Sequence, residues 1–148
     1  MLTPEVLGAI GRVAEPRREI ATRRDIRRYA MATHQRDARY LAGDEAPPLF
    51  YTALFWPEGP REALRPDGLT RDPLLPALPL PRVMAGGSTL RPRRAIRPGD
   101  ELIATRSITD IRERSGRTGP LIFLETQTVV ETVAGELVLT DRTTLIAR

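Results

Sequence analysis

The one histidine of this 148-residue chain, His34, stands shortly before an aspartate, Asp37. Imidazole is the side chain whose unperturbed pKa, about 6.5, suits proton transfer at neutral pH. A His34–Asp37 dyad is therefore a candidate for general acid–base work. The competing reading places His34 at a helix C-terminus, where positive charge is mildly favourable. Asp44 and Glu45 are further nearby carboxylates, and they read first as solvated loop charges. With one histidine and no cysteine, a multi-histidine metal site, disulfides and thiol catalysis are excluded, and no carboxylate loop motif favours magnesium or calcium. All 23 basic residues are arginine, which excludes a lysine Schiff base or lysine general base.

The formal net charge is +4, and a basic balance raises the question of nucleic acid. The arginines are scattered from Arg12 to Arg148, dense only over Arg17–Arg28 and Arg91–Arg97, and aromatic residues are 5% of the chain. Stacking platforms need more aromatics than that, so nucleic acid is not the expected partner. A guanidinium rim for a phosphorylated small molecule is the better use of these residues. No apolar run is long enough to span a membrane. Residues 1–15 do not read as a secretory leader. Cytoplasm is the expected compartment.

The elements that would position such residues fall into two halves. In residues 3–14, Thr3 as N-cap, Pro4 at the first helical position and the spacing Val6, Ile10, Val13 predict a helix ended by Pro16. Residues 17–21 suit a short strand. Thr22 then caps a second helix from Arg23 to about Thr33, with Asp25 in its first turn and Ile26, Tyr29 and Ala30 as its apolar stripe. Residues 34–48 read as loop with one helical turn. The apolar run 49–56 is either a strand or a buried helix. Residues 57–83 are proline-rich and predict a long irregular loop, and the leucines between the prolines (Leu74, Leu75, Leu78, Leu80) predict that it packs onto the protein. From Gly86 onward four strands are expected, Gly87–Ile96, Leu102–Arg114, Pro120–Val133 and Leu137–Ile146. A turn at Arg97–Asp100, a hairpin loop at Ser115–Gly119 and a tight turn at Ala134–Glu136 separate them. Helices followed by an antiparallel meander define an α+β class.

The order of these pieces carries a resemblance. Ile26-Arg27-Arg28-Tyr29-Ala30 follows a short strand, and Asp37-Ala38-Arg39-Tyr40 and Ala46-Pro47-Pro48-Leu49-Phe50 come next. Then Leu78-Pro79-Leu80-Pro81-Arg82-Val83-Met84-Ala85-Gly86-Gly87 precedes a strand, and Arg94-Ala95-Ile96-Arg97-Pro98-Gly99-Asp100 precedes the long strands. From about Glu15 to Arg148 this resembles the N-terminal, non-catalytic half of MaoC-like dehydratases, nearest the mesaconyl-CoA hydratase and 3-hydroxyacyl-thioester dehydratase type. The resemblance implies a single hot-dog domain over residues 1–148, a long helix wrapped by a curved antiparallel sheet. It also implies coenzyme A or carrier-protein thioesters as substrates, reversible addition of water beside the thioester carbonyl, and no cofactor. Active members carry Asp and His in an Asp-x-Asn-Pro-x-His loop, with a backbone N–H at a helix start polarising the thioester oxygen.

Matching residues 37–40 to that loop puts Gln35 at the Asp position and Tyr40 at the His position. Gln does not titrate, and an unperturbed Tyr, with pKa near 10, is a poor base at pH 7. The resemblance thus implies a substrate-shaping subunit. Its expected partner is a separately encoded catalytic MaoC-like hot-dog subunit, or a second copy of itself, joined across exposed sheet edges. The stretches Leu121–Val130 and Leu137–Ile146 are the expected interface strands. Expected substrate contacts are Phe50, Tyr51 and Phe55, the backbone around Met84, Gly86 and Gly87, and Arg82, Arg93 and Arg94 toward phosphates. Two alternatives remain. One is a self-sufficient homomeric hydratase or thioesterase using Asp37, Asp44 or Glu45. The other is a module binding acyl-CoA or nucleic acid without catalysis.

Overall fold

The computed structural model describes residues 2–66, 68, 70–117 and 119–148. Its core is a five-stranded antiparallel sheet built from β1 (Arg17–Ile20), β2 (Val83–Pro92), β3 (Glu101–Gly116), β4 (Gly119–Thr132) and β5 (Leu137–Ala147), in the order β1-β3-β4-β5-β2. Four short helices accompany it: α1 (Pro4–Leu7), α2 (Arg23–Ala32), α3 (Ala38–Ala42) and α4 (Phe50–Leu54). Thr118, in the expected hairpin loop between β3 and β4, lies outside the described residues. Among the described residues no helix is long and apolar enough to cross a membrane.

The α+β class and antiparallel sheet match expectation, but the expected long helix does not form. The longest helix is α2, with ten residues, and α4 has five. The reason lies in the flanks of α4. Pro47 and Pro48 precede it and Pro57 follows, and proline both lacks the N–H a helix needs and restricts the residue before it. Only about two turns fit between them.

The first helix is also shorter than its periodicity suggests. Thr3 Oγ1 accepts from Val6 N at 3.3 Å as the cap requires, but α1 ends at Leu7. Gly8 and Gly11 weaken helical continuation by about 1 kcal/mol each, and β3 offers the backbone a competing partner. Gly11 N donates to Ile108 O at 2.9 Å and Ala14 N to Arg106 O at 2.8 Å. Val6 and Ala9 are buried as a result, while Ile10 and Val13 are left exposed rather than lining one buried face.

The β2 strand begins at Val83 and ends at Pro92, four residues earlier at each end than the alternation suggests. Its register slips between Ala85 and Gly87, a bulge that erases the period-two signal. Beyond Pro92 the chain leaves the sheet, where Ala46 N donates to Ile96 O at 2.8 Å and Arg94 turns toward Asp100. The expected interface strands are corrected too. β4 is paired with β3 and β5, and β5 with β4 and β2. Both lie inside the sheet, so their backbones cannot take another strand. The long edge left open is β2, nine of whose ten residues are exposed.

Two apolar clusters lie along the sheet. One joins Ile26, Phe50, Tyr51, Leu102, Val130, Val138 and Leu139, so it lies beneath α2 and α4. The other joins Val6, Leu74, Ile108, Ile111, Ile122 and Leu124, with Leu75, Leu78 and Leu80 packed against it. The proline-rich segment therefore covers the second cluster, as its leucines predict. Each fully buried leucine there contributes about 1.5–3 kcal/mol of apolar transfer.

Candidate functional site

The segment that carries His34 and Asp37 is built by consecutive capping motifs. At the head of α2, Thr22 Oγ1 accepts from Asp25 N at 3.1 Å and donates to Asp25 Oδ2 at 2.5 Å. At its tail, Gln35 N donates to Ala30 O at 2.9 Å and His34 N to Met31 O at 3.2 Å. This pair of bonds is a Schellman stop, which needs a left-handed residue at its first position past the cap. His34 fills it with φ 54°, and histidine is among the residues enriched there. The imidazole is exposed and makes no side-chain hydrogen bond among the described residues.

Asp37 is spent in the next cap. Its Oδ1 accepts from Arg39 N at 3.1 Å and its Oδ2 from Arg39 Nε at 3.0 Å, which starts α3. The same carboxylate raises the pKa of the Arg39 guanidinium. Gly43 closes α3 in the left-handed region at φ 75°. A Cβ there would lie 2.7 Å from Arg23 O and 2.8 Å from Arg27 Cγ, so only glycine lets α3 sit on α2. Arg23 completes the joint, donating to Ala42 O at 3.1 Å and to the Asp44 carboxylate. Glu45 takes Arg39 at 3.3 Å and Arg97 at 3.2 Å. All three candidate carboxylates thus hold arginines.

Gln35 donates from Nε2 to Thr33 Oγ1 at 3.3 Å, back along its own loop. Tyr40 is half-buried with the Arg39 guanidinium 4.8 Å above its ring. It lines a cavity of about 150 Å³ with Pro47, Pro48, Arg94, Ile96 and Leu139. The loop brings no histidine–carboxylate pair together. Among the described residues no cluster of His, Asp and Glu could hold a metal.

The expected substrate contacts separate into two places. Phe50 and Tyr51 are buried on α4, Phe50 in an edge-to-face contact with Tyr29 at 5.6 Å, and Phe55 packs against the same cluster. Phe55 O also accepts from Arg17 Nη1 at 2.6 Å, which ties α4 to β1. Met84, Gly86 and Gly87 lie instead on the open edge strand. A Cβ on Gly86 would meet Ile146 Cγ1 at 2.8 Å, and Gly87 has φ 132°, so both glycines serve the bulge. Arg82 and Arg93 flank the two ends of β2. A ten-residue strand spans roughly 30 Å, too far for both to hold one phosphate cluster. Arg94 is engaged: Nη1 reaches Asp100 at 2.7 Å and Nε reaches Glu136 at 3.2 Å. Hydrogen bonding to Asp100 raises its pKa further.

A buried polar cluster went unrecognised in the sequence. Asp141 on β5 is 3% exposed, and the Tyr51 hydroxyl and Ser88 Oγ both donate to its carboxylate, the latter at 2.5 Å. Burial, with Asp141 beside it, pushes the Tyr51 phenol well above its ordinary range. The available signal was parity, since Asp141 alternates with Leu139 on the inward face of its strand.

A sheet of this order, with α2 and α4 packed on one end, defines the hot-dog class, and solved structures agree. The ChsH1-ChsH2 complex from Mycobacterium tuberculosis superposes with TM-score 0.70, covering 96% of this chain and 86% of that one at 15% identity. The HadBC complex (3R-hydroxyacyl-ACP dehydratase) from the same organism gives 0.65, covering 94% and 97% at 20% identity. The chain belongs to the family described as FAS1-like, dehydratase domain region, which it matches over residues 8–141. It is 34% identical over 84 residues to mesaconyl-C(4)-CoA hydratase of Chloroflexus aurantiacus, a stretch covering 56% of this chain. That stretch is 30% of the hydratase, so the chain matches less than a third of that relative's length.

Proposed function

We propose that this chain is the substrate-shaping, non-catalytic hot-dog unit of an acyl-thioester hydratase or dehydratase. In this reading a second hot-dog unit, carried on a catalytic partner subunit, supplies the acid–base pair. The observation that carries it is the state of the Gln35–Tyr40 loop within a dehydratase family. Gln35 holds Thr33, the Asp37 carboxylate is consumed by its cap, and His34 is an exposed helix stop. Adding water beside a thioester carbonyl needs a group that gains and loses a proton near neutral pH. Here the matching positions hold Gln and Tyr.

Two further features support the pairing. The open β2 edge presents unpaired N–H and C=O groups, which a strand from another hot-dog sheet would satisfy. The fold neighbours include two complexes, ChsH1-ChsH2 and HadBC. Coenzyme A as the thioester carrier is supported by the likeness to the mesaconyl-C(4)-CoA hydratase. In the assembled enzyme α4, with Phe50, Tyr51 and Phe55, forms one wall of the acyl pocket, and the partner contributes the reacting groups.

The test is hydration of crotonyl-CoA by the purified chain alone, by a catalytic hot-dog subunit carrying Asp-x-Asn-Pro-x-His alone, and by the two mixed. Turnover is expected from the mixture and not from this chain alone. High turnover by the chain alone that survives His34→Ala would overturn the proposal.

A further inference from the structure

The outward face of the sheet carries a feature that the acyl pocket does not use. Strand alternation puts Thr89 and Arg91 of β2, Gln127 of β4, and Thr140 and Arg142 of β5 on the face opposite Asp141. Register makes them neighbours: Thr89 pairs with Arg142, Arg91 with Thr140, and Gln127 with Arg142. Together with Asp141 they line a cavity of about 250 Å³. Asp141 lies between Thr140 and Arg142, but it sends its carboxylate to the other face, where Tyr51 and Ser88 hold it.

Neither the Arg91 nor the Arg142 guanidinium has a hydrogen bond or ion pair among the described residues. Arg112 on β3 differs, being held by Asp110 and by Glu125 at 2.6 Å. Its pairing occupies the carboxylates of that neighbourhood. Two like charges on adjacent strands repel. A sheet holds them in place, and the groups beside them are hydroxyls and an amide, all able to donate. An anion would relieve the repulsion and accept from both guanidinium forks. The cavity is smaller than the ~300–1,000 Å³ typical of drug-sized ligands, so it suits a small anion or one end of a larger molecule.

We propose that Arg91 and Arg142, with Thr89, Thr140 and Gln127, form a phosphate-binding site on the outer sheet face. Its ligand is either free phosphate or the phosphate end of a nucleotide-bearing thioester. The site does not rest on the acyl-thioester reading, because occupancy is read without turnover.

The experiment follows backbone amides of the ¹⁵N-labelled chain by NMR during titration with inorganic phosphate, coenzyme A and pantetheine. Phosphate and coenzyme A are expected to shift residues 89–91, 127 and 140–142, and pantetheine, which has no phosphate, is not. Tighter binding of coenzyme A than of phosphate names the nucleotide as the source, and equal binding names the free anion. Arg91→Gln with Arg142→Gln should weaken binding by roughly tenfold or more. Both side chains are exposed and unpartnered, so the fold should survive, with thermal unfolding as the control. The proposal is overturned by any of three results: no shift at these residues, equal shifts spread over the α2 arginines, or unchanged affinity in the double variant. Coenzyme A binding here with no hydratase activity in any mixture would leave this site standing and remove the catalytic reading alone.

Discussion

Two side chains show how a titratable residue can be placed for folding rather than chemistry. Tyr51 donates to a carboxylate that is itself buried and also held by Ser88. Tyr51→Phe removes one donor from that carboxylate and should cost about 1–3 kcal/mol in urea denaturation. The raised pKa sets a sign for pH dependence. Above about pH 10 the unfolded chain releases the Tyr51 proton while the native state keeps it, so stability falls as pH rises. Denaturation curves collected on either side of that pH should show a decline that is smaller in Tyr51→Phe. His34 is the second case. Its left-handed conformation costs a non-glycine residue about 1–2 kcal/mol. His34→Gly should therefore leave stability unchanged or slightly higher, and leave turnover of the assembled enzyme intact. A loss of turnover in a fully folded His34→Gly protein would return a chemical role to this histidine.

At the scale of elements, the α2–α3 joint is the most constrained feature. Gly43 combines a positive φ with backbone and side-chain atoms closer than a Cβ tolerates. Gly43→Ala should lower stability by at least about 1–2 kcal/mol, from the left-handed strain alone, measured by thermal or urea unfolding. A neutral result would mean that α3 moves off α2 without penalty. Of the two helices, α2 was legible for a local reason, while the α3 region read as loop with one helical turn. Thr22, Asp25 and the Ile26–Ala30 stripe agree with one another, and the observed α2 follows them. α1 and β2 were not legible in extent, because their boundaries are decided by partners distant in sequence. Ile108 and Arg106 capture the backbone after α1, and Ala147 begins the ladder at Val83.

For the whole molecule, the decisive feature is the long β2 edge of the sheet, the opposite edge being the four-residue β1. Val83 and Met84 stand exposed at the start of β2, beside the Gly86–Gly87 bulge. If β2 is where a second hot-dog unit joins, Val83→Glu with Met84→Glu should shift the assembly toward monomer in light scattering, and the mixed enzyme should lose activity in parallel. Persistence of the assembly in that variant would move the interface elsewhere. The outer-face arginines lie on the face of the sheet opposite Asp141. Arg142→Gln, on the internal strand β5, should weaken anion binding without altering the assembly.

The residues alone determined the class of the fold, the caps of α2, the packing of the proline-rich leucines and the lack of lysine and cysteine chemistry. These are local or compositional properties, carried by side-chain type and short spacing. The reading of Gln35 and Tyr40 as the positions of the family's acid–base pair rests on the resemblance and belongs to the proposed function. What the chain does with the neighbouring charges was a tertiary matter. Asp37, Asp44 and Glu45 look like free carboxylates in one dimension, and arginines on their own and neighbouring elements hold all three. Burial of Asp141 against Tyr51, ninety positions away, follows only once α4 is laid across β5. Register alone makes Arg91 and Arg142 diagonal neighbours, since Arg91 pairs with Thr140 and Arg142 with Thr89, residues that no sequence spacing relates.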